Sequence, residues 1–370
     1  VYYKKRKSRA NKTNIDSFDQ HAIRNKINEY FSVRKEVLTL RKLVSDLRES
    51  IQFEGSRETL RKIQHNIAWR HRYIRRILEL RNEPSETRKQ IVYVDETYVH
   101  LNYKPKKSWQ GPSSSKMCEN VSKGKRFIIV HAGTENGFVN NGLLVFSTKS
   151  RHEDYHDDMN AENFSKWVLE KLLPNLDSPS VIVLDNASYH SVQINKSPNT
   201  STRKDHIRAW LTENNVEWSE EQTKAELLCL VKRNKPEPIY FIDELLKEHG
   251  HAALRLPPYH CHLNPIEMAW SQVKRKIAEK NVNSTADEMI NKIEEAFSTV
   301  TVDDWRKYVG HVKRLEEEHK QKDMLQDDII PFIINVQDSK SSDSEEDDYV
   351  GEQEFEDIEY LDPWFAYDED

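Results

Sequence analysis

Apolar residues follow two different periodicities along the chain, and the change near residue 90 divides it into two regions. Before that point they recur at the spacing of an α-helix. The predicted helices cover residues 17–31, 39–50, 56–66 and 67–81. Beyond residue 90, short apolar runs rich in β-branched residues predict strands. These runs are Ile91–Leu101, Phe127–His131, Leu143–Phe146 and Val181–Leu184, with an amphipathic helix at Ala161–Leu173 before the last of them.

The first region has the order of a helix-turn-helix unit. A helix beginning at Thr39 is followed by a turn from Ser50 to Gly55 and by a second helix capped by Ser56. The second helix carries outward basic residues, which favours contact with DNA phosphates. The candidate DNA-binding residues are Arg57, Arg61 and Lys62. We therefore predict an all-α DNA-binding region at 17–66, a basic arm at 1–16 and a helical linker at 67–90.

The second region predicts an α/β domain. Three consecutive strands, a helix and a fully apolar strand are typical of a mixed sheet of the ribonuclease H type. Further helices are predicted at Ile266–Lys280, Ala286–Phe297 and Asp303–Glu317, and a helical insertion at 219–253. The predicted catalytic domain therefore covers residues 91–320.

Charge is distributed very unevenly along the chain. Residues 1–90 carry 23 Lys and Arg against 11 Asp and Glu, whereas residues 338–370 carry one Lys against 15 Asp and Glu. A basic N-terminal region is typical of a protein that binds a polyanion, although a solvated helical surface is the alternative. The cluster Lys4–Lys7 suits a nuclear-import signal, a DNA-contacting arm or an unstructured basic tail. The acidic segment 338–370 predicts a disordered tail.

Several protein classes are excluded by simple features. No stretch of 18 apolar residues is present, so neither a membrane span nor a membrane partner is expected. The three cysteines are far apart, which argues for a reducing compartment and against a disulfide framework. The nine glycines form neither a dinucleotide-binding fingerprint nor a phosphate loop.

Three acidic residues are the candidate catalytic and metal-binding groups. Asp95 and Asp185 each follow an apolar run, and Glu267 lies where the helix 266–280 begins. A carboxylate at the end of a buried strand is unfavourable unless a cation neutralises it. Two Asp and one Glu could hold two Mg²⁺ or Mn²⁺ ions, the arrangement that cuts and joins phosphodiesters.

Residues near these acids have more than one interpretation. Asn186 and His190 could orient a ligand, a water or a phosphate, but turn hydrogen bonds explain them equally well. Glu96 should point to the opposite face of its strand from Asp95, which makes it a supporting residue rather than a ligand. His260, Cys261 and His262 could begin a zinc site, but no partner ligands stand at the usual spacing.

Three sequence blocks resemble the signature blocks of the Tc1/mariner (IS630-like) transposases, which are of the DDE type. The blocks are Val94–Thr97, Leu184–His190, and Leu256–Tyr259 together with Leu263–Trp270. The segment Trp69–Arg81 is also similar to that family's interdomain segment. The resemblance implies a helix-turn-helix DNA-binding region, a ribonuclease H-like domain with an Asp-Asp-Glu triad, and cut-and-paste transposition into TA targets.

The chain departs from that family's pattern in three respects. Asp185 and Glu267 are 82 positions apart, an unusually long spacing that is similar to the Sailor-like branch. His260–His262 stands where the family usually has Ser-Pro-Asp. One helix-turn-helix is evident instead of two, which suggests that the N-terminus is truncated.

We therefore expect a nuclear transposase that binds double-stranded DNA at terminal inverted repeats and acts as a homodimer or larger synaptic complex. The alternative is a domesticated, non-catalytic DNA-binding protein of chromatin derived from a transposase.

Overall fold

The computed structural model describes residues 40–53, 57–104, 122–147, 159–281 and 284–323, together with Ile23, Lys26, Glu29 and Tyr30. The predicted basic arm and acidic tail lie outside these residues. None of the helices within the described ranges is both long and apolar enough to cross a bilayer.

A six-stranded mixed sheet forms the centre of the fold. Its strands are β1 (Gln90–His100), β2 (Arg126–Thr134), β3 (Gly137–Phe138), β4 (Leu144–Ser147), β5 (Ser180–Leu184) and β6 (Ala252–Arg255). The order is β3-β2-β1-β5-β6, with β4 also paired to β2. β2 runs antiparallel to β1, whereas β5 runs parallel to β1 and β6 parallel to β5. This topology confirms the predicted ribonuclease H-like sheet.

Alternation along the strands divides the core into two layers. Odd-numbered residues of β1 and β5, such as Tyr93 and Val183, pack on one face with the helices α2 (Arg57–Asn82), α7 (Ile266–Lys280), α8 (Ala286–Ser298) and α9 (Val302–Asp323). Even-numbered residues, such as Val92 and Ile182, pack on the other face with α3 (Ala161–Trp167) and α6 (Phe241–Glu248). A π-helical turn, Val168–Leu172, and a 3₁₀ turn, Leu173–Asn175, continue α3.

Trp305 of α9 fills the position beside Gly133 of β2. Its ring is completely buried, and a β-carbon placed on Gly133 would lie 2.0 Å from it. Trp270 of α7 is buried as well. Both tryptophans are therefore core residues.

The N-terminal helices have a small core of their own. The helix α1 (Leu40–Ile51) buries Leu43 and Leu47 against Ile23 and Leu60. The hydroxyl of Tyr30 donates a hydrogen bond of 2.7 Å to Asp46. The sequence predicted two helices, 56–66 and 67–81, but the structure has one continuous helix, α2 (Arg57–Asn82). No proline or glycine lies between residues 57 and 82, so nothing in the sequence breaks the helix at residue 66.

A separate helical unit lies between Asp185 and Glu267. The helices α4 (Lys204–Glu213) and α5 (Lys224–Arg233) share a core of Ile207, Leu211, Leu227 and Val231. At the base of this unit Gln193 forms a β-bridge with Tyr240. The unit therefore begins before residue 219, where the helical insertion 219–253 was predicted to start. The end of that predicted span belongs to the main domain, because α6 packs on the sheet and β6 is one of its strands.

Candidate active site

Asp95 lies within β1, the central strand of the sheet. Its odd position directs the side chain to the face covered by α7. There the indole Nε1 of Trp270 donates a hydrogen bond of 2.7 Å to Oδ2 of Asp95. The next residue, Glu96, points to the opposite face, as the alternation predicts. Trp270 therefore fixes the orientation of the Asp95 carboxylate.

Asp185 directly follows β5 and lies next to Asp95. The strands β1 and β5 pair in parallel as far as Tyr93 and Val183, so extending the pairing by two residues places the two aspartates side by side. Oδ1 of Asp185 accepts hydrogen bonds from the backbone N–H of Ala187 and from Nδ1 of His190. Because β1 and β5 are adjacent parallel strands in this register, residues 90 positions apart meet here.

Glu267 reaches the same face from the first turn of α7. The helix is anchored by Asn264, whose Nδ2 donates a 3.1 Å hydrogen bond to the carbonyl of Val94. Ile266 and Ala269, on either side of Glu267, are buried in the core layer that also contains Tyr93. The structure therefore brings the three predicted acids to one side of the sheet, despite the 82 positions between the last two.

The acids perturb one another electrostatically. Burial raises the pKa of Asp95 well above its ordinary value, and the charges of Glu267, Glu96 and Asp185 raise it further. Burial also opposes ionisation of Asp185, but hydrogen bonds from His190 and Ala187 outweigh this and lower its pKa. The ionised form of Asp95 is therefore the one in need of a neighbouring cation.

The acids have the chemistry of a divalent-metal site. Carboxylate oxygens are the ligands that Mg²⁺ and Mn²⁺ prefer, and a bound cation would offset the neighbouring negative charges that disfavour ionisation of Asp95. In the described part of the chain, however, no three His, Cys, Asp or Glu side chains stand in a ready-made arrangement for a metal ion. The donor types therefore fit a divalent ion, whereas a completed cage is not present.

His190 links Asp185 to the opposite face of the sheet. Its Nδ1 lies 2.7 Å from Oδ1 of Asp185 and its Nε2 lies 3.1 Å from Oε1 of Glu96. The ring is buried against Phe164. Burial opposes protonation, but Glu96 and Asp185 outweigh it and raise the pKa of His190 to about 10. His190 is therefore a cation at neutral pH that donates to both carboxylates.

Replacing Glu96 by glutamine should destabilise the fold, because a buried cation then loses one of its two anionic partners. We expect a loss of about 1–3 kcal/mol in the free energy of unfolding near neutral pH. His190 titrates near pH 10 in the fold and near 6.5 when unfolded, so its contribution is complete below about pH 6.5 and disappears as the pH rises through 10.

Urea unfolding of wild type and Glu96→Gln between about pH 6 and pH 9 measures this change. The stabilising contribution of charged His190 should begin to disappear at a lower pH in the variant than in wild type. The matched control is Glu244→Gln, which removes an exposed ion pair with Lys247 and should change stability by less than about 0.5 kcal/mol. Equal stability of Glu96→Gln and wild type across this range would contradict the charged His190 bridge.

Two residues of the site were not predicted from the sequence. Trp270 is a core residue whose N–H also orients Asp95. Lys274 is the second of these residues, and its Nζ lies 5.6 Å from the centre of the Tyr98 ring. Burial lowers the pKa of Lys274, although the charges of Glu267 and Asp95 act in the opposite direction. The seven-residue spacing between Glu267 and Lys274, two helical turns, is the sequence signal that could have revealed it.

The other predicted residues fall into two groups. Asn186 lies at the site, and its Nδ2 donates a hydrogen bond of 2.5 Å to the carbonyl of Leu256, which ties the segment after β5 to the one after β6. The predicted DNA-binding residues lie at the start of α2, far along the chain from the acids, and their side chains lie outside the described part. These are Arg57, Arg61 and Lys62, whose role remains a prediction.

His260 and His262, which precede α7, lie close to His319 of α9. Nε2 of His262 lies 3.4 Å from Nε2 of His319, and the rings of His260 and His319 are 6.1 Å apart. Burial lowers the pKa of His262, with Arg70 and His311 acting in the same direction. His319 is thus a distant partner that local spacing could not indicate, although no three ligand side chains among the described residues form a metal-binding group.

Comparison with known proteins identifies the family. The sequence profile described as "DDE superfamily endonuclease" matches residues 90–290, which cover the sheet, the three acids and the helical unit between them. The chain belongs to the DDE superfamily of endonucleases. The predicted DDE assignment is therefore confirmed, and it implies a DNA substrate and dependence on a divalent metal. No curated protein matches the sequence.

Several solved structures of one distantly similar protein also match this DDE endonuclease. The Mos1 transposase paired-end complex with the left transposon end is 14% identical, with 82% of this chain and 78% of that chain covered and a TM-score of 0.44. The Mos1 strand transfer complex is 13% identical, with 82% and 77% covered and a TM-score of 0.46. The catalytic domain of Mos1 mariner transposase is 11% identical, with 70% and 94% covered and a TM-score of 0.37.

Proposed function

We propose that this DDE endonuclease is a cut-and-paste DNA transposase of the Tc1/mariner type. The observation that carries the proposal is the proximity of Asp95, Asp185 and Glu267, whose charges act on one another, in a domain of the DDE family. The three sequence blocks that resemble Tc1/mariner transposases contain these acids. The reaction would be cleavage of DNA at transposon ends, followed by joining of the freed 3′ end to a TA target.

Each acid would have a defined part in holding the catalytic ions. Asp95, on the central strand, would hold the Mg²⁺ or Mn²⁺ ions together with Asp185 and Glu267. When bound, such ions neutralise phosphate charge and activate the attacking oxygen. Trp270 fixes the rotation of Asp95, and His190 fixes that of Asp185. Asn264 holds the start of α7, and with it Glu267, against β1.

DNA recognition would fall to the N-terminal region. Its 23 basic residues among the first 90 positions favour binding to phosphates, and the proposed contacts are Arg57, Arg61 and Lys62. DNA cleaved at two ends has to be held together, so we propose self-association into a dimer or larger synaptic complex. A chromosomal substrate implies a nuclear location.

The test uses the purified chain and a plasmid whose transposon ends are bordered by TA. We expect double-strand breaks at these ends and joined products at TA sites when Mn²⁺ or Mg²⁺ is present, and neither when it is chelated. Asp185→Asn is the control for contaminating nucleases and should give no products. Salt-sensitive DNA binding without cleavage by the wild type would instead favour the domesticated alternative.

A further inference from the structure

The loop between β6 and α7 contains a tight turn with an unusual residue in it. The carbonyl of Pro257 accepts a hydrogen bond of 3.2 Å from the N–H of His260, which closes a four-residue turn. Pro258 occupies the second position and Tyr259 the third, with a φ of 63°. Proline followed by a positive φ defines a type II turn, in which glycine usually occupies the third position. A tyrosine there costs about 1–2 kcal/mol in backbone strain.

Packing does not compensate for this strain. The side chain of Tyr259 is 72% exposed, more than any other large hydrophobic residue in the described ranges. Leu256 and Pro257, before the ring and at the start of the turn, are buried, so the backbone on that side is held firmly while the phenol ring projects outward. A strained and exposed aromatic residue is a feature from which a functional contact can be inferred.

The segments on both sides of the turn lie near the catalytic acids. On one side, the N–H of Leu256 donates 2.9 Å to the carbonyl of Leu184, the residue before Asp185, and its own carbonyl accepts from Asn186. On the other side, burial raises the pKa of the Cys261 thiol to about 11, and the nearby charges of Glu267 and Asp95 add to the increase. The residues that flank Tyr259 along the chain therefore lie near the acid cluster.

We propose that Tyr259 is a stacking platform for an unpaired nucleobase of the DNA beside the phosphate that is cut or joined. This inference rests on the proposed function. A base offers a flat face to a protein ring only when it has left the duplex stack, as at a cut or distorted position. Stacking on an aromatic side chain contributes about 1–3 kcal/mol per base. The two prolines fix the backbone before the ring, so little conformational entropy is lost when the base binds.

Substitutions at Tyr259 separate stacking from strain. Tyr259→Phe keeps the ring, whereas Tyr259→Gly removes it and relieves the positive φ. We therefore expect Tyr259→Gly to melt at or above the wild-type temperature and yet to cut and join DNA about 5- to 150-fold more slowly, the rate equivalent of the stacking energy. Tyr259→Phe should stay within about threefold of wild type. The matched control is Asn215→Gly, which relieves a φ of 57° in the helical unit and should leave the rates unchanged.

The decisive measurement places 2-aminopurine, and separately an abasic site, at each position flanking the scissile phosphate. With wild type and Tyr259→Phe, the fluorescence of 2-aminopurine should change at one position, and this change should be absent with Tyr259→Gly. At that same position an abasic site should remove the rate difference between wild type and Tyr259→Gly.

The outcomes distinguish the two proposals. If the wild type cuts DNA and Tyr259→Gly is slower by the same factor on intact and abasic DNA at every position, stacking is wrong and the proposed function stands. If Tyr259→Gly cuts as fast as wild type, the ring has no part in the reaction. If the wild type cuts no DNA in the presence of Mn²⁺, the proposed function fails and the stacking inference fails with it.

Discussion

Asp95→Asn should abolish metal-dependent DNA cleavage and at the same time raise the melting temperature of the metal-free protein. The loss of cleavage follows because a residue proposed to hold the catalytic ions loses its charge, and we expect a decrease of about 10³-fold or more. The gain in stability follows because burial and three neighbouring acids raise the pKa of Asp95, so its ionised form opposes folding. Each kcal/mol relieved would shift melting by about 2–4 °C.

The pH dependence of this stability difference has a definite sign. A raised pKa means that Asp95 does not oppose folding below its unfolded value of about 3.9, and that the cost grows as the pH rises through the folded pKa. Wild type and Asp95→Asn should therefore melt alike near that unfolded value and differ at neutral pH. Thermal denaturation with and without Mn²⁺ measures both effects, because the ion should stabilise only the wild type.

The control for this experiment is Asp205→Asn, which alters an aspartate on α4 whose side chain is 88% exposed. It should change neither cleavage nor the response to Mn²⁺. Retention of cleavage by Asp95→Asn, or an equal stabilisation of that variant by Mn²⁺, would refute the role given to Asp95.

Arg81→Met should be strongly destabilising, because Arg81 neutralises a buried acid where α2 meets α9. One of its guanidinium nitrogens donates to Oε1 of Glu316 at 2.9 Å and to the hydroxyl of Tyr93 at 2.8 Å. The side chain of Glu316 is 0% exposed. Removing one partner of a buried ion pair leaves the other uncompensated, which costs about 3–5 kcal/mol.

The size of this loss should depend on pH. Burial raises the pKa of Glu316 to about 7, although Arg81 opposes the increase. Without Arg81 that pKa rises further, so Glu316 is protonated at mildly acidic pH and destabilises the fold mainly above about pH 7. Urea unfolding of Arg81→Met near pH 5.5 and near pH 8 should show the larger loss at the higher pH.

The double variant Arg81→Met/Glu316→Gln should recover much of the stability at the higher pH, because the uncompensated charge is gone. The control Arg306→Met removes an exposed pair with Asp303 and should change stability by less than about 1 kcal/mol at either pH. A loss for Arg81→Met that is the same at both pH values would mean that lost packing, not charge, is responsible.

The fold could be predicted from the sequence wherever a segment has a strong local pattern. β1 and β5 are apolar runs that end near an aspartate, and α7 begins after Pro265 with regularly spaced apolar residues. β6 was missed because it has only four residues, all partly exposed, and its place is determined by pairing with β5. The break predicted inside α2 was wrong because a change in side-chain composition does not interrupt backbone hydrogen bonds.

The three acids of the candidate site could be predicted from the sequence, but the residues that orient them could not. Asp95 lies within one recognisable strand, Asp185 follows another and Glu267 is in the first turn of a helix, so their convergence follows from the topology of the sheet. The contact between His190 and Glu96 joins residues 94 positions apart in the chain. That between Trp270 and Asp95 spans 175 positions. Such contacts depend on the packing of whole elements and have no local sequence signal.

The base of the helical unit, where Gln193 pairs with Tyr240, has a consequence for comparing related sequences. The bridge between Gln193 and Tyr240 brings the two ends of the helical unit together. After it, β6 pairs directly with β5 in the sheet. The count of residues between Asp185 and Glu267 therefore measures the size of a side module and leaves the geometry of the acids unaffected. Related chains with different counts can therefore share the same arrangement of acids. A reporter protein inserted between Gln193 and Tyr240 would leave the catalytic centre in place.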